Sequence, residues 1–515
     1  MLRFFSVAAG VAACSFIVEA IAVTRSSLRR PPVALLLHLV ALAVVAMGCI
    51  ALTGRPIFSL GATLVLTGLL ALVGNAKFAS LREPLVFSDL SLFSQVFSHP
   101  RLYLPFLGSG KLVVVLVGIA ATVAAFVAES SVAFGQRSAA AVVALVGWPV
   151  CVALSRRLPL TQHPFTDQCR FGFFAAFIAY LINGLSRAER SAFARAVGSG
   201  PFSFSAPDPE PGVARPDVIV IQSESYFDAR RLGEWVAGAP YAHFDRAKRE
   251  SFEQGELTVP AWGANTMRSE FAMLTGLTPL ELGFARFYPY MFVRRACTSL
   301  AGYFSRGGYR TVAVHPYHAD FFGRRRAFAH MHFERFLDIG SFGDAPRVGP
   351  YVGDVAVAEK LISLLEDSDD KPLFAFAITM ENHGPLHLET VSRGEAAARH
   401  TLGDDARWHD LTAYLRHVEN ADAMIGRLTS YLRERSRPTV LCFYGDHVPA
   451  MSSVFDALET APSRSDYFIW RNFGSDVGKR RDADVETLGS TIQRAMIPAV
   501  YVNTDSRNEL QQMPA

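Results

Sequence analysis

Acidic and imidazole side chains follow two apolar runs in the second half of the chain. The run 439–444 is continuous Thr, Val, Leu, Cys, Phe and Tyr, and Asp446 and His447 follow it after one glycine. The run 217–221 leads to Glu224. Such runs are typical of buried strands in a parallel sheet, whose carboxyl ends bind ligands. Glu224 alone is more typical of a solvent-exposed strand end. If the ends converge, however, two carboxylates and an imidazole make a site suited to Zn²⁺ or Mn²⁺.

A hydroxyl group lies at the predicted start of a helix. Met267, Phe271 and Leu274 follow helical spacing, and Asn265 and Thr266 before them are both good N-cap residues. One interpretation is that Thr266 only caps the helix. The other is that its hydroxyl, beside the free N–H groups of a helix N-terminus, lies at a phosphate site. Bound to a divalent metal, such a hydroxyl could lose its proton and attack phosphorus.

The elements that carry these residues predict an α/β domain. Short apolar runs at 217–221, 311–314, 373–378 and 439–444 alternate with helical patterns such as 411–433 and 485–496. This alternation predicts a central, mostly parallel sheet with helices on both faces. The six cysteines are scattered, so neither a disulfide framework nor a metal knuckle is indicated. A net charge of +3 among 515 residues provides no case for a nucleic-acid partner.

Apolar runs dominate the first 160 residues. They cover about 4–23, 33–53, 57–73, 112–127 and 139–154, and each approaches the roughly 20 residues that a membrane-spanning helix needs. We therefore predict five spans. A sixth run, 171–185, would cover only about 22 Å of a roughly 30 Å hydrocarbon core, so we predict an interfacial amphipathic helix there and keep a short crossing as the alternative.

The predicted domains follow from these patterns. A transmembrane domain of about five helices occupies 1–160. The interfacial helix and a proline-rich linker occupy 161–216, a catalytic domain occupies 217–505, and a tail occupies 506–515. The linker is predicted from the prolines and small residues that separate the apolar half from the α/β half.

The arrangement of these motifs resembles a known family. A Glu at the end of the first strand (Glu224), a Thr on the next helix (Thr266) and a late strand ending in Asp446-His447, behind five apolar spans, is similar to the lipoteichoic acid synthase and phosphoglycerol transferase branch of the alkaline phosphatase/sulfatase superfamily. The stretch NAKFASLREPLVFSDL at 75–90 looks like that family's segment after the third span. The resemblance implies an α-helical membrane domain followed by a sulfatase-like α/β domain.

The resemblance also implies roles for these residues. Glu224, Thr266, Asp446 and His447 become the metal ligands, and Thr266 is also the nucleophile. The implied cofactor is a divalent metal, Mn²⁺ first, with Mg²⁺ and Zn²⁺ as alternatives.

Four further residues stand at positions of the family's substrate site, and three of them match it. His315 and Arg324, in VHPYHADFFGRRR, match the His and Arg that hold the glycerol phosphate group, and His383 matches another substrate-site His. Phe322 stands where the lipoteichoic acid synthases have Trp. This difference removes an indole N–H donor and keeps an aromatic wall, so recognition of the headgroup or acceptor is expected to differ.

The resemblance implies a membrane-anchored phosphoglycerol transferase. It would move glycerol phosphate from phosphatidylglycerol in the bilayer to a glycan or polyglycerolphosphate acceptor through a phospho-threonine intermediate. The alternatives are a phosphoethanolamine transferase, a sulfatase or a phosphodiesterase of the same superfamily and, from another class, a non-catalytic membrane sensor. The few cysteines of the soluble half disfavour a phosphoethanolamine transferase. The absence of a C/S-x-P-x-R context around Thr266 disfavours a sulfatase.

The side of the membrane is predicted differently by two arguments. The basic residues of the first half, including Arg29, Arg82, Arg101 and Arg156, lie in loops on one side of the five predicted spans. The positive-inside rule would place that side, and the soluble half with it, in the cytoplasm. The resemblance implies a multi-pass protein of the cytoplasmic (inner) membrane with its catalytic domain on the periplasmic or extracellular side, and we adopt this second prediction.

Overall fold

We analysed a computed structural model of the chain, which describes residues 2–26, 29–92, 109–206, 214–367, 371–474 and 478–497. The predicted tail 506–515, the end of the predicted catalytic domain beyond 497 and the predicted loop around Arg101 lie outside the described residues.

Helices occupy the five predicted apolar runs of the N-terminal half. They are α1 (Leu2–Ile21), α2 (Pro32–Thr53), α3 (Pro56–Leu81), α4 (Ser109–Ala128) and α5 (Phe134–Arg157). Among the described residues, α2, α3 and α5 are long and apolar enough to cross a membrane, and α1 and α4 have 20 residues each. Helix α2 packs on α5 and α3, and α3 also packs on α1 and α4.

Three short helices follow in the segment predicted as an interfacial helix and linker. They are α6 (Pro164–Phe171), α7 (Phe173–Gly184) and α8 (Arg187–Ala196). Helix α7 has buried residues on all its sides, including Phe174, Ala176 and Tyr180, because it packs against α2, α5 and α6. This differs from the predicted interfacial helix, which would expose one polar face. Helix α8 lies within the predicted linker, and its Phe193 is buried against Phe271 of the α/β domain.

A mixed sheet forms the centre of the α/β domain. Its strands are β1 (Asp217–Ser223), β2 (Glu253–Thr258), β3 (Arg310–Val314), β4 (Arg335–Leu337), β7 (Leu373–Ile378), β8 (Thr439–Gly445), β9 (Arg464–Arg471), β10 (Lys479–Arg480) and β11 (Ala483–Asp484), while β5 (Arg347–Val348) and β6 (Tyr351–Val352) pair separately. The order is β10-β2-β9-β8-β1-β7-β3-β4, with β11 beside β2. Strands β8, β1, β7, β3 and β4 are parallel, whereas β9 is antiparallel to both β8 and β2.

Helices cover both faces of this sheet. They are α9 (Ala242–Arg249), α10 (Met267–Thr275), α11 (Pro279–Leu282), α12 (Pro289–Phe292), α13 (Leu300–Arg306), α14 (Arg324–His330), α15 (Asp354–Glu366), α16 (His409–Glu434), α17 (Ser452–Ala457) and α18 (Leu488–Ala495). Alternate residues of β1 face opposite ways, so Val218 and Val220 join one core and Ile219 and Ile221 the other. The first core contains α10 and continues into the N-terminal helices, and the second contains α15 and α16.

Candidate active site

The ends of β1 and β8 are neighbours in the sheet. Ser223 of β1 is paired with Gly445 of β8, so Glu224 and Asp446, the next residue of each strand, leave the sheet side by side. A Cβ atom on Gly445 would lie 1.9 Å from the carbonyl oxygen of Tyr226. Glycine is therefore required at this position, because the backbone after β1 passes directly over it.

Glu224, Asp446 and His447 form a compact buried group, as their places at the strand ends predict. His447 Nε2 lies 3.2 Å from Asp446 Oδ2 and 3.7 Å from Glu224 Oε1. One potential ligand atom from each residue lies within 4.8 Å of the others. Each of the three residues is no more than 4% exposed, so solvent does little to screen the charges of the two carboxylates.

The electrostatics of this group fit a divalent cation. His447 Nδ1 is 2.9 Å from the carbonyl oxygen of Val448, to which it must donate, so in the neutral ring Nε2 presents a lone pair. Asp446 Oδ2 is buried without a hydrogen-bond donor among the described residues. Burial, and then the charge of Glu224, raises the pKa of Asp446 to about 7. Two carboxylates and an imidazole lone pair facing one another are a donor set for Mn²⁺, Zn²⁺ or Mg²⁺.

Thr266 brings its hydroxyl group to the same point. Its Oγ1 lies 3.4 Å from Glu224 Oε2 and 3.5 Å from His447 Nε2. The predicted helix, expected to start at Asn265 or Thr266, begins at Met267, and Thr266 makes no side-chain hydrogen bond that caps it. Ser269 Oγ donates to the carbonyl oxygen of Asp446 over 2.6 Å and ties the helix to the end of β8. The Thr266 hydroxyl therefore faces the candidate metal site and does not cap the helix.

Neighbouring side chains and amides orient the carboxylates. Ser225, at φ +54°, donates its N–H to Asp446 Oδ1 over 2.7 Å and its hydroxyl to Glu224 Oε1 over 2.9 Å. The backbone N–H of Glu224 donates to Thr379 Oγ1 over 3.0 Å, just beyond the end of β7. Hydrogen bonds of this kind, made to the ligating residues by their neighbours, fix the orientation of metal ligands.

The predicted substrate residues His315 and Arg324 lie together and are buried. Arg324 Nη1 is 3.2 Å from His315 Nε2, and His315 Nδ1 is 3.3 Å from the carbonyl oxygen of Ile378. Burial and the charge of Arg324 hold the pKa of His315 well below its ordinary value. His315 is therefore neutral and donates its Nδ1 proton to the carbonyl.

Glu270 completes this second group. Arg324 donates from Nε and Nη2 to the Glu270 carboxylate over 2.9–3.1 Å, and both side chains are at most 1% exposed. Tyr290 donates a short hydrogen bond to the same carboxylate, and Gln222 lies 3.4 Å from it. Two of the guanidinium nitrogens are therefore committed to Glu270, and Nη1 faces His315.

Phe322 and His383 lie at the edge of this group. Phe322 adopts φ +57°, and the Arg324 guanidinium lies over its ring at 5.2 Å. His383 Nδ1 is 2.7 Å from the carbonyl oxygen of Gly384, and its ring makes an edge contact with Tyr351. Phe322 therefore forms an aromatic wall beside the guanidinium, and His383 lies just beyond β7.

Sequence reasoning missed Glu270, Ser225 and Thr379. Glu270 follows Thr266 by four residues on a predicted helix, so it had to share a face with the hydroxyl. This spacing indicated that Glu270 lies near the site. It was also a candidate partner for Arg324, to which the sequence analysis assigned no acidic residue. Ser225 and Thr379 carried no comparable signal, because their roles depend on which strands are neighbours.

The chain is similar in sequence to known proteins. A profile of the sulfatase family matches residues 216–496, which is more than half of the chain. The capsular polysaccharide biosynthesis protein RkpI of Rhizobium meliloti (strain 1021) is 30% identical, over 84% of this chain and 81% of that protein. A putative cyclic beta-1,2-glucan modification protein of the same organism is 27% identical, over 47% of this chain and 37% of its own length.

A solved structure resembles both halves of the molecule. The integral membrane protein lipooligosaccharide phosphoethanolamine transferase A (EptA) from Neisseria meningitidis matches 91% of this chain and 95% of its own, at 13% identity and a TM-score of 0.55. At this identity the likeness concerns the fold, in which apolar helices precede a sulfatase-like α/β domain. The predicted fold class and superfamily are confirmed. The chain therefore belongs to the sulfatase family, within the metal-dependent alkaline phosphatase superfamily.

Proposed function

We propose that this protein is a membrane-anchored phosphoglycerol transferase that takes glycerol phosphate from phosphatidylglycerol and passes it to a glycan or polyglycerolphosphate acceptor. The observation that carries the proposal is the position of the Thr266 hydroxyl, 3.4 Å from Glu224 and 3.5 Å from His447 at the start of a helix. A buried hydroxyl with these neighbours is suited to nucleophilic attack on phosphorus.

In this proposal, Glu224, Asp446, His447 and Thr266 hold a divalent cation, preferentially Mn²⁺. When bound, the cation supplies positive charge that favours the deprotonated threonine and offsets negative charge on the phosphoryl oxygens. The N-terminus of α10 adds partial positive charge at the same point. The site residues thus favour a nucleophilic oxygen and an anionic phosphodiester in one place.

The first half-reaction forms a covalent intermediate. Thr266 Oγ1 gives its proton to solvent and attacks the phosphorus of the lipid, a bond forms between them, and the bond from phosphorus to the diacylglycerol oxygen breaks. We assign the proton for the leaving oxygen to the imidazolium form of His383, which donates from Nδ1 to the carbonyl oxygen of Gly384 and gives up the proton on Nε2. We also assign to Arg324 Nη1, the guanidinium nitrogen that does not contact Glu270, a hydrogen bond to a phosphoryl oxygen.

The second half-reaction transfers the group to the acceptor. A hydroxyl of the acceptor gives its proton to Nε2 of His383 and attacks the phosphorus. A bond forms between the acceptor oxygen and phosphorus, and the bond from phosphorus to Thr266 Oγ1 breaks, which restores the deprotonated threonine. Two relatives named for a capsular polysaccharide and a cyclic glucan support a carbohydrate acceptor. The N-terminal helices support a lipid donor, since anchoring enzyme and lipid in one bilayer raises their effective concentration.

The test compares Thr266→Ala with wild type in purified full-length protein supplied with Mn²⁺. We expect wild type to release labelled diacylglycerol from phosphatidylglycerol and to trap a phosphoglyceryl group on Thr266, and the variant to do neither. Thr275→Ala is the matched control, because Thr275 lies on the same helix and its hydroxyl donates to the carbonyl oxygen of Phe271. Equal diacylglycerol release by Thr266→Ala and wild type contradicts the catalytic role.

The same assay separates the donor classes. Phosphatidylethanolamine is offered in parallel with phosphatidylglycerol, in vesicles of otherwise equal composition. Faster diacylglycerol release from phosphatidylethanolamine would make the protein a phosphoethanolamine transferase and overturn the proposed donor. Release of free glycerol phosphate without an acceptor product would indicate a phosphodiesterase.

A further inference from the structure

The turn that carries Thr266 is held from the side of the membrane helices. Helix α3 ends at Leu81, and residues 82–86, which we name the strap, lead from it to a short helical turn at Phe87–Leu92. Within the strap, Glu83 Oε2 accepts a hydrogen bond from Asn265 Nδ2 over 3.1 Å, and Glu83 Oε1 accepts one from Arg268 Nη1 over 2.7 Å. Both oxygens of one carboxylate therefore bind residues that flank the nucleophile.

Asn265 adopts a conformation that depends on such contacts. Its φ is +68°, in the left-handed region, which residues with a Cβ seldom adopt and which Asn tolerates better than most. Asn265 immediately precedes Thr266, and its carbonyl oxygen accepts the N–H of Arg268 over 2.9 Å. A backbone held in this region persists when surrounding contacts determine it. The bond from the Asn265 amide to Glu83 is one of these contacts.

The strap is itself fixed to α3. Lys77, in the last turns of that helix, lies 3.6 Å from Glu83 and 2.8 Å from Asp89, and it donates to the carbonyl oxygen of Pro84 over 3.3 Å. Burial raises the pKa of Glu83, but Arg268 and Lys77 lower it by more. The carboxylate is therefore ionised at neutral pH, and it stands between cations from both halves of the molecule.

A second ion pair joins the strap to the α/β domain, and it does not involve Asn265, Thr266 or Arg268. Arg82 Nη2 lies 2.6 Å from Asp456 Oδ1, and the Arg82 guanidinium lies 5.1 Å from the ring centre of Trp262. The Asp456 side chain is 73% exposed. This pair offers a matched control for substitution of Glu83. Its loss also removes an ion pair between the strap and the α/β domain, but one that is exposed to solvent and lies away from Thr266.

We propose that Glu83 is a positioning residue, through which the membrane domain holds the Thr266 hydroxyl at Glu224 and His447. The residues around Thr266 hold the hydroxyl in this position only when Glu83 of the strap binds Asn265 and Arg268. The inference rests on the proposed nucleophilic role of Thr266, and it holds for any phosphodiester donor. It implies that the membrane helices contribute to the chemical step as well as to lipid access.

The test measures turnover by full-length protein with two substrates, phosphatidylglycerol in mixed micelles and the small diester bis(p-nitrophenyl) phosphate. Glu83→Gln keeps the size of the side chain and removes its charge. We expect kcat to fall about 10- to 100-fold on both substrates, as for a displaced catalytic group, with KM for the lipid unchanged within about two-fold. Asp456→Asn should keep kcat within about two-fold of wild type.

A coupled substitution distinguishes positioning from a general loss of structure. Asn265→Gly adopts a positive φ without help from a neighbour, so adding Glu83→Gln to it should lower kcat much less than Glu83→Gln lowers it in wild type. Unchanged kcat in Glu83→Gln, or equal losses in Glu83→Gln and Asp456→Asn, would overturn the inference. If wild type releases no diacylglycerol from phosphatidylglycerol, the proposed donor is wrong, and the small diester still decides the role of Glu83.

Discussion

Glu270 links the nucleophile helix to Arg324 through a fully buried ion pair. The Arg324 guanidinium would otherwise be an uncompensated charge in the core, so we expect Glu270→Gln to cost about 3–5 kcal/mol of unfolding free energy. It should also abolish diacylglycerol release, because Arg324 would lose its orientation. Thermal unfolding and the lipid assay measure both effects.

An exposed pair provides the control for this prediction. Glu359 binds Arg427 over 2.6 Å, with both side chains about half exposed. Glu359→Gln should leave the melting temperature and activity unchanged within error. Similar losses of stability in Glu270→Gln and Glu359→Gln would show that burial of the Glu270–Arg324 pair does not increase its contribution to the free energy of unfolding.

His417 predicts a dependence of stability on pH. Burial lowers its pKa, but hydrogen bonds to Glu381 and Glu389 more than offset this and raise it to about 9, from an ordinary 6.5. A group whose pKa is higher in the folded state stabilises the fold fully below the unfolded pKa and ceases to do so above the folded one. The contribution, about 3 kcal/mol for a shift of this size, should therefore disappear between pH 6.5 and pH 9.

The measurement is the melting temperature of wild type and His417→Gln across that range. Wild type should lose more stability than the variant as pH rises, and the variant should start lower at pH 6.5. Parallel curves for the two proteins would contradict the assignment of this pH dependence to His417.

At the scale of elements, the approach of β8 to the chain after β1 sets the distance between the metal ligands. Gly445→Ala would place its Cβ against the backbone carbonyl of Tyr226, which has little freedom to move because Ser225 binds Asp446. We expect the substitution to separate Asp446 from Glu224. Mn²⁺ affinity and activity should each fall more than about 10-fold.

Titration calorimetry with Mn²⁺ measures this effect directly. Gly238→Ala is the control, because a Cβ there meets nothing within 4 Å. Unchanged Mn²⁺ affinity in Gly445→Ala would show that the close approach of β8 does not determine the site.

At the scale of the whole molecule, charged residues join the membrane helices to the α/β domain or fix the loops beside it. Arg82 pairs with Asp456, Lys77 pairs with Asp89, and Arg30 pairs with Glu19. Three of the basic residues that the positive-inside argument counted therefore have acidic partners in the structure. The location of the α/β domain outside the cytoplasm stays the prediction that the family resemblance implies.

Reporter fusions test that orientation. Arg55, after α2, donates to the carbonyl oxygen of Glu129, after α4, so these two loops share the membrane side opposite the α/β domain. Alkaline phosphatase fused after Ala515 should be active, and the same enzyme fused after Gly54 should be inactive. The reverse pattern would place the α/β domain in the cytoplasm.

Elements with a clear local pattern were predictable from the sequence. The run 373–378 is the strand β7, and the pattern at 411–433 lies within α16 (His409–Glu434), because continuous apolar runs and helical spacing each reflect a single element. Strand β2 was not predicted, since its Glu, Gln and Gly residues form an edge region whose pairing depends on β9. Helix α7 was located, but burial on all sides depends on which helices surround it.

By itself, the sequence determined the residue types and their places at strand and helix ends: Glu224, Thr266, Asp446 and His447 all follow from local patterns and their order. Only the tertiary structure decided the contacts that orient them. Arg324 binds Glu270 across 54 residues of sequence, and Asn265 binds Glu83 across 182. No local periodicity encodes such pairs, because they form only when packing brings distant elements to one edge of the sheet.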